Sequence, residues 1–594
     1  MYKAVSCEKT YVLMVLVCGT LLLALCADTI EAKWAPAEGP LMTRWAKDVS
    51  PNKVHPEYPR PQMVRKKWQN LNGLWDYAIT AKDAPKPAEF DGQIMVPFPI
   101  ESALSGVMKP VGEDKKLWYR RTFEVPGNWK DKQILLHFGA VDWETTVWVN
   151  SEKVGEHKGG YDRFAFDITD LLQDGIQQEI VVSVWDPVNT GTQPRSKKVK
   201  RPRGIWYTSA TGIWQTVWLE AVPETYIKSL KIVPDIDAGT VTVTATCSDA
   251  ASGFMIEAEV KKGWWPWPKG KATGEPGMPI VVPIKKPKLW SPKSPFLYDL
   301  KVTLKCSEGK KVDAVDSYFG MRKISLGKDK DGFTRIMLNN EFLFQIGPLD
   351  QGWWPDGLYL APTDEAFRYD IEVTKKLGLN MARKHVKIEP DRWYYWCDKL
   401  GLLVWQDMPS GDKYIDPDAP DFNRSPASAK QFELELARLI DNFYNHPSII
   451  VWVAFNEGWG QYDTGRIARL IKKLDPTRLV NSASGWADRG VGDMHDIHSY
   501  PGPAMPEPET ERAIVLGEFG GLGLPLKGHT WQDEENWGYR NYKDPQELTA
   551  AYRNLIKKLY PMIAKGLSAA VYTQTTDAVS YTHLRAHETS LHLV

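Results

Sequence analysis

The alternation that begins near Phe342 limits the fold of this chain more than any other feature. Short, apolar, β-prone runs at 342–346, 380–383, 402–407, 448–455, 479–482, 496–500, 513–518 and 569–574 are interleaved with helix-periodic segments at 363–377, 390–400, 427–444 and 464–474. Strands buried on both faces read as continuous apolar runs. Eight of them alternating with helices specify a (β/α)8 TIM barrel, placed at residues 328–578. No helical pattern follows the eighth run, so the barrel is expected to be truncated after strand eight.

Upstream the grammar is all-β. Runs at 73–77, 118–123, 134–138, 145–149 and 180–185, separated by turn residues, predict a jelly-roll β-sandwich over 40–222. A second β segment, 223–327, contains strands at 239–246 and 297–304 and has the size of an immunoglobulin-like sandwich. A length of 594 residues accords with about three to four domains.

Lys+Arg and Asp+Glu both number 74, so no net field favours nucleic acid or an anionic membrane. The basic stretch 195–203, with Lys197, Lys198, Lys200, Arg201 and Arg203, reads as a solvated loop. Residues 1–32 read as a signal peptide, with Lys3 and Lys9 before an apolar stretch at 11–26 and small residues at Ala27 and Ala32. That stretch is short for a membrane span. A periplasmic or secreted protein is expected; bulky Leu25 argues against a lipid anchor at Cys26. Three cysteines then remain. Cys247 and Cys306 either pair in an oxidising compartment or stay as separate thiols, and Cys397 reads as core. No zinc-ligand spacing occurs, and no metal or cofactor is expected. Residues 579–594 continue no upstream pattern and look like a translated sequencing-library adapter, so His583, His587 and His592 are not read as a metal site and the natural chain is expected to continue past Ala578.

Two carboxylates carry the chemistry. Glu457 ends the run NHPSIIVWVAFNE (445–457) and Glu518 sits in IVLGEFGG (514–521), each at the end of an apolar strand that breaks at glycine. They fall near the ends of strands four and seven, which face each other across a barrel mouth, the face where such barrels place their sites. An acid and a nucleophile or base so placed are the equipment for cleaving a glycosidic bond. Asn456 is suited to bonding a sugar hydroxyl. Arg383 and His385 follow strand two, Asp407 ends strand three, and His498 and Tyr500 end strand six. Arg383 is expected beside a carboxylate, because burial of an unpaired guanidinium is costly; Asp407 reads as its partner or as a hydroxyl ligand. His385 and His498 read as hydroxyl ligands or as structural histidines. Trp353 and Trp354 read as sugar-stacking rings or as loop core. The segment 264–267 (WWPW) reads as an inter-domain contact or a glycan platform, and a total of 26 tryptophans suits either use.

These motifs resemble those of glycoside hydrolase family 2, the group of β-galactosidases, β-glucuronidases and β-mannosidases. The run from Asn445 to Glu457 is similar to the acid/base signature, although Val453 stands where a small residue is usual, and Gly517-Glu518-Phe519-Gly520 resembles the nucleophile motif. Gly159-Gly160-Tyr161, Gly212-Ile213-Trp214-Gln215 and Leu289-Trp290-Ser291-Pro292 resemble motifs of the two sandwiches, so the likeness spans about 59–576. The resemblance implies a retaining mechanism, with Glu518 as nucleophile, Glu457 as acid/base, and carboxyl groups about 5–5.5 Å apart. It implies a raised Glu457 pKa beside the Glu518 charge, and Tyr500 either bonding Glu518 or lying on the rim. The expected activity is that of an exo-β-glycosidase on oligo- or polysaccharides, β-galactosidase-like first and β-glucuronidase or β-mannosidase as alternatives, possible as a homo-oligomer. Strand three (LVWQD) is nearer the mannosidase form, whereas His385 matches galactosidases and glucuronidases. The Asn and Lys with which glucuronidases read a carboxylate lie beyond strand eight, outside this sequence. A non-catalytic glycan-binding protein on the same scaffold is the competing class.

Overall fold

The computed structural model describes residues 34–175, 177–248, 253–261, 263, 268–531 and 538–575. The expected signal peptide, the 264–267 segment and the 579–594 tail lie outside the described residues. Trp34 and Ala35, the described residues before Pro36, carry no helix or strand.

The first sandwich pairs a six-stranded sheet, which includes Gly73–Ala81, Lys115–Phe123, Glu144–Val149 and Gln178–Trp185, with a four-stranded sheet that includes Gln133–Phe138 and Val217–Val222. Trp75, Tyr119, Leu136, Phe138, Val182 and Leu219 fill the space between them. The second sandwich sets three strands, among them Thr240–Cys247, against four, among them Met255–Lys261 and Tyr298–Lys305. Burial alternates residue by residue along these strands, as expected when one face is solvated. Cys247 and Cys306 are free and half-buried; Cys397 is buried, as its helical setting suggested.

The barrel strands are β1 (Gln345–Asp350), β2 (Met381–Lys384), β3 (Leu403–Asp407), β4 (Ile449–Val453), β5 (Leu479–Asn481), β6 (Met494–Ser499), β7 (Ala513–Gly520) and β8 (Ala569–Thr573). They are parallel in the order β5-β4-β3-β2-β1-β8-β7-β6. The helices are α1 (Asp364–Lys376), α2 (Asp391–Leu400), α3 (Pro426–Phe443), α4 (Thr464–Leu474) and α5 (Pro545–Ala564). Caps explain their starts. Thr363 accepts from the Ala366 amide, Ser425 from Ser428 and Asp544 from Glu547, with Pro426 and Pro545 at first helical positions. Gly347 lets β1 approach β2, since a Cβ there would lie 1.7 Å from the Met381 carbonyl oxygen.

One expectation is corrected. The first barrel strand is Gln345–Asp350, not 342–346, because Phe342 pairs with Met337 in a hairpin whose Ile336 and Leu338 join the barrel core. The apolar run therefore spans two elements. Strand β8 is paired on both sides, to β1 and β7, and the gap in backbone pairing lies between β5 and β6. There Asp493 Oδ2 accepts the Val480 amide at 2.7 Å and Asp496 accepts from Asn481 at 2.6 Å. No helix among the described residues is long and apolar enough to cross a membrane.

Asp398, fully buried on α2, fixes the start of β4 and ties the second sandwich to the barrel. Its carboxylate accepts from Ser448 N at 2.9 Å and Tyr318 Oη at 2.7 Å, and lies 2.6 Å from His446 Nδ1. Its carbonyl accepts from Trp290 Nε1 at 2.8 Å. Replacing Asp398 by Ala strands three buried donors and is expected to lower stability by about 3 kcal/mol or more. Urea unfolding followed by tryptophan fluorescence would read this as an earlier midpoint; an unmoved midpoint would mean that the donors find other partners.

Candidate active site

The polar ends of the parallel strands converge on one rim. Arg383 lies on β2 and His385 just beyond it, Asp407 on β3, Asn456 and Glu457 after β4, His498 on β6 with Tyr500 beyond, Glu518 on β7 and Thr573 on β8. Gly517 makes room beneath Glu518: a Cβ there would meet Asp496 Oδ1 at 2.2 Å. Glu457 adopts φ +52°, a left-handed conformation that strains a residue with a side chain. Its amide donates to Ser484 O at 2.9 Å, and Gly458 follows at φ +78°.

Arg383, fully buried, organises the floor. It forks onto Asp407 (Nε–Oδ1 3.1 Å, Nη2–Oδ2 2.9 Å), reaches Asn456 Oδ1 at 2.8 Å, and donates from Nη1 to Glu518 Oε1 at 3.2 Å. Tyr500 donates to the other oxygen of Glu518 and lies 2.7 Å from Thr573 Oγ1. Glu457 Oε1 is 2.8 Å from His498 Nδ1, and His498 Nε2 is 2.8 Å from Ser484 Oγ. One oxygen of Glu457, one of Glu518 and one nitrogen of His498 all lie within 4.8 Å of each other. This is the only such cluster of three potential metal ligands among the described residues. Each member already holds protein hydrogen bonds, to Arg383, Tyr500, Ser484 or one another, so the donor set suits proton transfer.

The electrostatics reverse one expectation. Burial alone would raise the Glu457 carboxyl, but the His498 hydrogen bond and the charges of His498, Lys197 and Arg383 outweigh it and hold Glu457 below its ordinary value. Burial would lower His498, yet Glu518, Glu457 and Asp496 hold it above the ordinary imidazole value. The pair therefore stores its proton on the imidazole rather than on the carboxyl. His385 is driven well below its ordinary value, first by burial and then by the Lys197 charge. It stands neutral, 3.3 Å from Asp407 and 3.8 Å from Glu518, with both ring nitrogens lacking a hydrogen bond.

The structure thus brings together Glu457, Glu518, Asn456, Arg383, His385, Asp407, His498 and Tyr500. It does not bring Trp354 to them. That ring is 3% exposed and packs edge-on against Trp45 and Phe367, so it belongs to the loop core. Trp353 likewise packs on Tyr207 and Tyr359. The solvated reading of 195–203 is corrected in part: 200–203 are exposed, but Ser196, Lys197 and Lys198 are buried. Lys198 pairs with Asp142 inside the first sandwich, while burial lowers the Lys197 ammonium against the charges of Glu518 and Glu457. Sequence reasoning also missed three rings near the rim. Trp206 stacks on Trp459 at 4.7 Å, two residues after Glu457, and Trp486, 44% exposed, stands edge-on to His498 at 5.8 Å. The only sequence signal for Trp206 is its place in GIWY directly after a basic run.

Known proteins share this plan. Residues 86–223 match the sugar binding domain of glycosyl hydrolases family 2, residues 225–322 the Glycosyl hydrolases family 2 model, and residues 361–515 its TIM barrel domain. A putative β-glucuronidase of Formosa agariphila is 29% identical over 74% of this chain and 40% of its own length. A β-galactosidase of Thermoanaerobacter pseudethanolicus is 29% identical over 64% of this chain and 50% of its own. The chain therefore spans about half or less of these relatives. The β-glucuronidase of Ruminococcus gnavus in complex with D-glucuronic acid superposes with a TM-score of 0.70 at 17% identity, covering 89% of this chain and 96% of that one. With all three domain models matched in order, the chain belongs to glycosyl hydrolases family 2.

Proposed function

We propose that this protein is a retaining, exo-acting β-glycosidase that removes terminal sugars from oligo- or polysaccharides, in the periplasm or outside the cell. One observation carries the reaction type: oxygens of Glu457 and Glu518 approach within 4.8 Å. That is in keeping with the roughly 5–5.5 Å carboxyl spacing of a double displacement rather than the about 6.5–9.5 Å of an inverting enzyme. Glu518 attacks the anomeric carbon. Arg383 and Tyr500 each bond one of its oxygens, which aims the carboxylate. Glu457 takes up the proton that His498 Nδ1 holds 2.8 Å away, passes it to the departing oxygen, and later deprotonates the water that releases the sugar. Its more exposed position (side chain 16% exposed against 7% for Glu518) suits a group that must meet both leaving group and solvent. Asn456 Oδ1 is bound to Arg383, which leaves the amide N–H groups to face a sugar hydroxyl. The N-terminal residues read as a signal peptide are what supports the location.

The sequence ranks a β-galactoside first, with β-glucuronide and β-mannoside as alternatives. The Glu457–Glu518 geometry does not separate them, since all present the same acetal. The names of the two relatives carry the first two sugars.

Two outcomes test the mechanism. Proton NMR of a hydrolysis mixture should show the β-anomer as the first product, and Glu518→Gln should reduce turnover to background while Glu457→Gln slows poor leaving groups by about 10²–10⁴-fold. A first-formed α-anomer would exclude Glu518 as nucleophile. The second outcome concerns pH. Because the free enzyme keeps its transferable proton on a raised His498, kcat/KM should persist above the ordinary imidazole range and fall as that proton is lost. His498→Asn leaves the proton to a carboxyl, so the alkaline limb should move to lower pH. An unmoved limb would mean that the pair does not supply the proton.

A further inference from the structure

Lys197 belongs to the first sandwich yet stands at the catalytic end of the barrel. Its segment is clamped to the loop after β3: Pro194 bridges Gly411, and the amides of Arg195 and Ser196 both donate to Ser410 O at 2.9 Å. On the other side Tyr207 N donates to Lys197 O at 2.9 Å, and the Tyr207 ring packs on Trp353 at 5.0 Å. The backbone that carries Lys197 is thereby fixed against the barrel.

Lys197 is 6% exposed, and its ammonium has neither a hydrogen-bond acceptor nor a carboxylate within 4.0 Å among the described residues. Burial of an unpaired ammonium is costly, so a buried one usually has a partner. Its electrostatic neighbours are the site itself. Glu518 and Glu457 act on it most strongly among charges, followed by Arg383 and Asp407, and Lys197 in turn acts on His385 and Glu457. The other cations here are committed. Arg383 is shared among Asp407, Asn456 and Glu518, Lys384 binds Asp350 and Glu389, Lys387 binds Glu389, and His498 binds Glu457. Burial pulls the Lys197 ammonium below its ordinary value against the raising effect of Glu518 and Glu457, and among these cations it alone has no protein counter-charge in contact, so a bound anion would favour its charged form.

We propose that Lys197 is a specificity-determining residue that ion-pairs the carboxylate of an anionic glycone, so that the enzyme takes β-D-hexuronides in preference to neutral β-hexosides. This rests on the β-glycosidase reading above and names its sugar. An ammonium offers three donors and no acceptor. A neutral sugar would seal it in the closed site without a counter-charge, whereas a uronate supplies one. The same pairing offsets the repulsion that Glu457 and Glu518 exert on an anionic substrate.

The test uses the full chain and compares kcat/KM on p-nitrophenyl β-D-glucuronide and p-nitrophenyl β-D-galactoside. The wild type should favour the glucuronide. Lys197→Met should lower the glucuronide-to-galactoside ratio by about 100-fold, and Lys197→Arg, which keeps the charge, should restore part of it. A ratio unchanged in Lys197→Met, whatever the absolute loss, would overturn the proposal and make Lys197 a group that tunes Glu457. A wild type active on the galactoside but not the glucuronide would also overturn it while leaving the reaction class intact. Failure of that class would show separately, as activity surviving Glu518→Gln. As a direct measurement, Glu518→Gln protein titrated calorimetrically should bind D-glucuronate more tightly than D-galactose, with the preference lost on adding Lys197→Met; equal affinities before that change would refute the ion pair.

Discussion

The Arg383 guanidinium is the interaction on which the rim depends. It is fully buried, and a buried guanidinium is tolerated only where its charge and its donors are matched. Matching it requires Asp407 from β3, Asn456 from beyond β4 and Glu518 from β7 at the same time. Four strands are thus held in register by one side chain, across a barrel whose backbone pairing is interrupted between β5 and β6. The residue that positions Glu518 also positions Asn456 just before Glu457, so the two glutamates share one anchor.

A second layer governs the proton. Glu457 and Glu518 are close enough to repel, and His498 lies between them, 2.8 Å from one and 3.7 Å from the other. Protonated imidazole at that point relieves the repulsion of both carboxylates. Ser484 and Asp496 behind it complete a chain from Glu457 through His498 Nδ1 and Nε2 to Ser484 Oγ and on to Asp496 Oδ2 at 2.6 Å. Protonation is therefore a property of this group of residues rather than of Glu457 alone, which is why reasoning from the two glutamates gave the wrong direction for its shift.

Much of this was legible in the sequence because barrel strands buried on both faces announce themselves as apolar runs, and because reactive side chains sit where those runs end. Glu457, Glu518, Arg383 and Asp407 could be located that way. What escaped has physical reasons. The first strand, Gln345–Asp350, begins and ends in polar residues and follows an apolar hairpin, which drew the reading upstream. Helix α5 is amphipathic with its apolar side on β7 and β8, and the long gap between those parallel strands calls for such a crossover, which the expected elements left unassigned. Trp354 was a coin-toss between stacking and packing that only Trp45, distant in sequence, decides. Lys197 lies in a run whose composition says solvent; its burial follows from the pairing of the preceding Arg195 and Ser196 with Ser410, a contact between domains that no local pattern encodes.

That contact between Pro194–Ser196 and the loop after β3 divides the active site between two hydrophobic cores. Glu457 and Glu518 hang from strands folded around one core, whereas Lys197 and Trp206 on the opposing wall are carried by a sandwich with its own core. Substitutions in the sandwich can reshape that wall while the strand ends keep their spacing. Such a division gives a lineage of these proteins room to change the shape and charge of the cavity without rebuilding its chemistry, provided the short backbone clamp at Ser410 survives each change.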